Sequence, residues 1–135
     1  WRVISWKTAK EICIFYFIER NLQMKKIAML NCLNSNKVCA GAACFTAFNK
    51  RIRSFERYQG MDVEVAAFMR CNGCGNDPET DAGILEKVER LQQEGVETVH
   101  VGICTKNKEG VRCKTIAKIM EMLEEKGMEV VDGTH

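Results

Sequence analysis

Apolar and polar positions recur along this chain in two different periods, and the switches between them mark its elements. Lys26-Ile27-Ala28-Met29-Leu30-Asn31 is a short apolar run of strand type. After a loop, Phe45, Phe48, Ile52 and Phe55 recur at helical spacing, which predicts one amphipathic helix over residues 43–58. Residues 62–69 read as a second strand. Ile84, Leu85, Val88 and Leu91 then stripe a second helix that Gly95 ends. Asp77-Pro78 is the expected start of that helix, with aspartate as cap and proline in the first helical position. Residues 97–103 form the third predicted strand. Ile116, Ile119, Met120 and Leu123 stripe a third helix stopped by Gly127, and residues 128–131 give a fourth strand.

Four strands alternating with three helices predict an α/β fold. The expected architecture is a three-layer, mostly parallel four-stranded sheet with helices on both faces, flavodoxin-like or Rossmann-like, because right-handed crossovers return the chain to one end of the sheet. A chain of 135 residues is long enough to bury a core without disulfide staples, and one domain over residues 24–135 is the expectation.

Residues 1–23 read as an addition to that domain. They hold one strongly apolar run, residues 12–18, too short for the roughly 20 residues that cross a bilayer. Met24-Lys25-Lys26 ahead of the first strand has the look of a bacterial start, and Glu19-Arg20-Asn21 back-translates to a purine-rich stretch of ribosome-binding type. The expectation is a non-native upstream extension; the competing reading is an amphipathic helix or edge strand packed on the domain.

Charge changes the picture only by exclusion. The net +2 resides in the first 23 residues; from Met24 onward Lys and Arg balance Asp and Glu at 16 each. No basic stripe with interleaved aromatics remains, so nucleic acid is not an expected partner, and the shortness of the 12–18 run leaves no membrane partner expected either.

The candidate chemistry lies in the cysteines, eight in 135 residues, with no secretory signal ahead of them. A cytoplasmic, reducing setting is expected, where clustered thiols serve metal binding or redox chemistry more often than structural disulfides. Cys32, Cys39 and Cys44 follow the first strand, Cys71 and Cys74 the second, Cys104 and Cys113 the third, and His135 the fourth. In a parallel sheet the carboxyl ends share one edge, so these seven cysteines and His135 are the candidate metal ligands. Cysteines serving as small core residues would fall inside elements, and from Met24 onward none is expected there.

Thiolates favour a zinc ion or an iron–sulfur cluster, each usually held by four ligands, and the surplus allows a second site, a redox pair or bystanders. Cys71-Asn72-Gly73-Cys74 is the most specific element, since its spacing lets both sulfurs face one ion while Gly73 takes a left-handed turn. Its rival reading is a dithiol redox pair. Small residues between Cys39 and Cys44 allow close backbone approach to a bound group, with an anion as alternative occupant, and Gly102 can relieve crowding beside Cys104. His100, inside the third strand, is expected to be structural, and Cys13 a bystander.

These residues resemble the CGGC domain family, small prokaryotic proteins described as metal-binding. The resemblance spans residues 25–135 and rests on Asn31-Cys32, Cys39-Ala40-Gly41 with Cys44-Phe45, Phe55-Glu56-Arg57-Tyr58, Cys71-Asn72-Gly73-Cys74, His100-Val101-Gly102-Ile103-Cys104, Cys113 and Gly133-Thr134-His135. Asn72 departs from the family's Cys-Gly-Gly-Cys, and Lys114 stands where many relatives have proline. The resemblance implies a metal but no reaction. Three functions stay open: a metal or cluster domain in sensing, trafficking or electron transfer with a redox or regulatory protein partner; a thiol oxidoreductase or metal-dependent enzyme using Cys71 and Cys74; and a structural zinc domain.

Overall fold

Ile27, Ala28, Met29 and Leu30 are all fully buried, as a continuous apolar run should be in the middle of a parallel sheet. They lie in β1, Lys25–Asn31, of a computed structural model that describes residues 8–14 and 24–135. β2, Val63–Arg70, and β3, Thr98–Val101, pair with β1 on its two sides, and β4, Glu129–Asp132, pairs with β3. All pairings are parallel, and the strand order is β2-β1-β3-β4. The fold is α/β, as the alternation of periods predicts.

The pleat of β1 sends its side chains to two separate cores. Ile27 and Met29 join Cys44, Ala47 and Phe48 of α1, Ala42–Lys50, together with Phe55 and Tyr58. Ala28 and Leu30 join Ile84, Val88 and Leu91 of α2, Ala82–Gln93, and Ile116, Ile119 and Leu123 of α3, Lys114–Glu125.

Two helix boundaries differ from the periodic reading. The first helix ends at Lys50, because Arg51 takes a left-handed conformation with φ 54°, and its guanidinium donates to the Phe48 carbonyl at 2.6 Å. A 3-10 segment, Arg53–Tyr58, then carries Phe55 and Tyr58 into the core, while Phe45 and Ile52 remain exposed. The second helix does not begin at Asp77-Pro78. Those residues form a turn, and Asp81 is the cap, its carboxylate accepting from the amides of Gly83 at 2.9 Å and Ile84 at 3.4 Å. Asp81→Ala is therefore expected to lower the melting temperature by about 4 °C, whereas Asp77→Ala leaves it unchanged; calorimetry of both variants checks the assignment.

Residues 9–14 are helical and exposed, opened by a reciprocal pairing of Thr8 and Glu11. Cys13 lies in that exposed stretch. The remainder of the proposed extension, residues 1–7 and 15–23, lies outside the described residues. No helix among the described residues is long and apolar enough to cross a membrane.

Candidate metal centre

The strand order reverses at β1: the chain goes from β1 to β2 on one side and from β2 to β3 on the other. Between β1 and β3 the connections leave for opposite faces of the sheet, and in open parallel sheets such a switch point is where ligands commonly sit. Cys32 is the first residue after β1, and Cys104 sits in a 3-10 turn, Ile103–Thr105, just after β3. The Cys32 amide donates to the Cys104 sulfur at 3.5 Å, and the next amide, Leu33, donates to the Cys71 sulfur at 3.4 Å. Consecutive backbone N–H groups thus tie down thiols from the ends of two other strands.

The thiols differ in their electrostatics. Burial pushes the Cys32 thiol up, but hydrogen bonds from the Ser35 amide and hydroxyl, the Asn34 amide and the Cys71 side chain outweigh it and leave its pKa below the usual thiol range. Burial pushes Cys104 up; the Cys32 amide opposes this, and negative charge on Cys32, Cys44 and Cys39 would raise it further. A cation among these sulfurs would reverse that penalty.

Cys71 is buried and belongs to the α2–α3 core, and Cys44 is buried in the α1 core. This corrects the expectation that no ligand candidate lies in the core: Cys71, the first residue after β2, and Cys44, in the first turn of α1, still face the packed interior. Cys74 is exposed, and its sulfur accepts from the Asn34 side-chain amide at 3.5 Å, so Cys71 and Cys74 both touch the loop that begins with Cys32. Gly73 does adopt positive φ, 104°. Asn72 clamps this turn to α2: its amide nitrogen donates to the Asp81 carboxylate at 3.1 Å and its oxygen accepts from the Lys87 ammonium at 2.7 Å.

A second group lies around the chain end. The Cys44 sulfur is 3.2 Å from the Thr134 hydroxyl and 3.6 Å from His135 Nδ1. Cys39 is exposed, its sulfur accepting from the Gly41 amide at 3.3 Å. Cys113 is brought to neither group by a hydrogen bond; it precedes α3 at the N-cap position, with no capping bond from its side chain, and packs against the α2–α3 core. A groove of about 490 Å³ runs along β2 and α2, lined by Phe68, Met69, Asn72 and Lys87 among others, and no cysteine lines it.

The family model for the CGGC domain matches residues 26–135. The chain belongs to the CGGC domain family. This CGGC domain is also 32% identical over 121 residues to an uncharacterized protein of Methanocaldococcus jannaschii, a match covering 82% of this chain and 86% of the relative. No solved structure matches it. The donor chemistry of the CGGC domain, free thiols with amide donors aimed at their sulfurs, fits a soft metal or a cluster. Among the described residues, however, no three Cys, His, Asp or Glu side chains converge closely enough to form a finished binding group.

His100 is fully buried and outside the sulfur groups, as expected of a structural histidine. Its Nδ1 donates to the Gly133 carbonyl at 3.1 Å, which leaves Nε2 to accept from the Tyr58 hydroxyl at 2.7 Å. It thereby anchors the tail that brings Thr134 and His135 to Cys44. In the sequence Tyr58 and Thr134 stand out only as part of the family resemblance, and their contacts with His100 and Cys44 leave no local signal. The crowding anticipated at Gly102 is present: a Cβ there would lie 2.1 Å from Asn31 Oδ1 and 3.3 Å from the Cys104 sulfur.

Proposed function

We propose that this CGGC domain binds a zinc ion or an iron–sulfur cluster through thiolates carried on the loops that follow β1, β2 and β3, for sensing, trafficking or electron transfer with a redox or regulatory protein. The observation that carries this reading is the pair of consecutive amides of Cys32 and Leu33 donating to the sulfurs of Cys104 and Cys71. Such N–H donors stabilise thiolates, the form that binds metal. Cys32, Cys71, Cys74 and Cys104 form the proposed primary ligand set, with Cys39, Cys44 and His135 as an adjoining reserve and Cys113 outside both. The thiolates supply soft donors, and the bound metal or cluster supplies the charge that offsets their mutual repulsion.

Anaerobic purification followed by metal analysis and a visible spectrum tests the reading. Brown protein with iron and acid-labile sulfide marks a cluster; colourless protein with stoichiometric zinc marks a mononuclear site. Protein that is metal-free and takes up neither zinc nor a reconstituted cluster overturns the proposal. A thiol oxidoreductase is the second reading, favoured by the lowered pKa of Cys32 and its hydrogen bond with Cys71.

We further propose that residues 24–135 are a self-sufficient domain. Among the described residues every buried side chain lies at Ile27 or beyond, and residues 8–14 are exposed throughout. A chain beginning at Met24 is expected to fold and to hold the same metal content as the full chain. Loss of its cooperative thermal transition would show that residues 1–23 complete the core.

A further inference from the structure

The register of β1 and β2 sets two thiols side by side. Ala28 pairs with Ala67 and Leu30 with Met69, and all four side chains pack in the α2–α3 core. Side chains alternate faces along a strand, so the next pair on that face is Cys32 with Cys71, one position past Asn31 and Arg70, where the paired register ends. The ladder reaches that far, since the Cys71 amide donates to the Asn31 carbonyl at 3.3 Å. The following rung would take the Leu33 amide to the Cys71 carbonyl, but that amide donates to the Cys71 sulfur instead, at 3.4 Å. Both thiols are free, and their side chains are hydrogen-bonded to each other. Neighbouring strands run about 4.8 Å apart, inside the roughly 4.4–6.8 Å between Cα atoms that a disulfide spans. The two thiols differ in access: Cys32 is half-buried, whereas Cys71 is 4% exposed.

Resting on the thiol reading above, we infer that Cys32 and Cys71 are a thiol–disulfide exchange pair for low-molecular-weight disulfides, with Cys32 as the attacking thiol and Cys71 as the resolving one. Access fixes the order, because a substrate disulfide RSSR reaches the half-buried sulfur before the buried one. The Cys32 thiolate attacks one sulfur of RSSR; that S–S bond breaks, a Cys32–S–S–R bond forms and RS⁻ leaves. Cys71 then gives its proton to solvent and attacks the Cys32 sulfur, so the Cys32–Cys71 bond forms and the second RS⁻ leaves. Each RS⁻ takes up a proton. Two protein thiols are oxidised and one disulfide is reduced to two RSH. The Leu33 amide acts on the return step: an N–H donor stabilises Cys71 as the leaving thiolate, which makes the bond easy to reopen. The Cys-x-x-Cys turn is not the exchange pair. Its Cys71 sulfur is turned to the β1 side, while Cys74 is exposed and its sulfur accepts from the Asn34 side-chain amide at 3.5 Å. Because Cys32 and Cys71 both belong to the proposed ligand set, the disulfide and a metal held by those two sulfurs exclude each other.

Exposure of the full chain, reduced and kept in chelator, to oxidised glutathione tests the proposal, with thiols alkylated at intervals and linkages mapped by peptide mass spectrometry. Glutathione is expected on Cys32 first and then to be displaced by a Cys32–Cys71 disulfide, which excess reduced glutathione reopens. Cys71→Ala is expected to accumulate the mixed disulfide at Cys32, and Cys32→Ala to lose the cross-link altogether. The wild-type linkage map decides the pairing even where a variant folds poorly. Linkage of Cys71 to Cys74, or of Cys32 to any thiol other than Cys71, overturns this pair and leaves the thiol reading standing with another. Glutathione on single cysteines with no intramolecular disulfide overturns the thiol reading and this proposal with it.

Discussion

Cys74→Ser is expected to give a protein that folds like wild type when metal-free but no longer retains metal, whereas Cys71→Ser is expected to lose metal and to melt earlier even without it. The two residues share one Cys-x-x-Cys turn, yet Cys74 is exposed and Cys71 is a core residue at 4% exposure. Serine at 74 swaps a soft donor for a poor one and leaves the apolar packing untouched. Serine at 71 places a hydroxyl in the α2–α3 core, where the Leu33 amide and the Cys32 side chain are the groups that address it, at a cost of about 1–2 kcal/mol. Loss of metal adds the linkage term, about 2.7 kcal/mol for a ligand present at a hundredfold over its Kd. Thermal melts with and without metal separate the two contributions, and Cys71→Ala gives the packing reference. If both serine variants keep metal stoichiometry but lose a reversible disulfide, the pair is a redox dithiol and not a metal clamp.

This contrast also shows where sequence reading stops. The fold was legible because strand and helix periods are local: Ile27–Leu30 has no polar interruption, and the stripe of Ile116, Ile119 and Leu123 has no other helical explanation. The end of α1 was not legible. Ile52 and Phe55 continue the period of Phe45 and Phe48, and nothing flags Arg51, an ordinary residue in a left-handed conformation, as the break. Asp77-Pro78 and Asp81 are both competent helix starts by composition. What sets Asp81 apart is Asn72, whose amide is the largest influence holding that carboxylate below the usual range, with the Gly83 and Ile84 amides and Lys87 adding to it, and which only the folded chain brings near.

The candidate site was legible in the same partial way. Counting cysteines after strand ends locates Cys32, Cys71 and Cys104, because strand ends are a topological fact. It cannot give the depth of a thiol, so Cys71 and Cys44 escaped recognition as core residues. Contacts such as Tyr58 with His100, or Cys44 with Thr134, join residues 42 and 90 positions apart and leave no mark in any local pattern.

The His100 contacts set the second large effect: His100→Ala is expected to destabilise the domain by about 3–5 kcal/mol, a melting-temperature drop of roughly 12–20 °C. The ring packs 4.4 Å from the Phe55 ring, centroid to centroid, and its removal leaves a cavity. It also strands two polar groups, the Tyr58 hydroxyl and the Gly133 carbonyl. The loss is a large share of the roughly 5–15 kcal/mol that holds a domain together. Because Gly133 leads to Thr134 and His135, the variant should also loosen the contacts of Cys44, read as faster alkylation of that thiol. The pH dependence follows from the sign of the shift. Burial holds the His100 pKa below its ordinary 6.5, so the unfolded chain binds the proton more tightly. Stability from the neutral ring is complete above pH 6.5 and falls as pH drops from there through the lowered folded value. Glu129 and Asp132, lowered chiefly by hydrogen bonds from Arg57 and Lys106 respectively, add their own losses only below their ordinary 4.5 and 3.8. Between about pH 6.5 and 5 the wild type should therefore lose stability while His100→Gln, which cannot titrate, shows a flatter profile. Equal slopes for the two proteins across that window in urea melts would show that the ring is not buried in its neutral form.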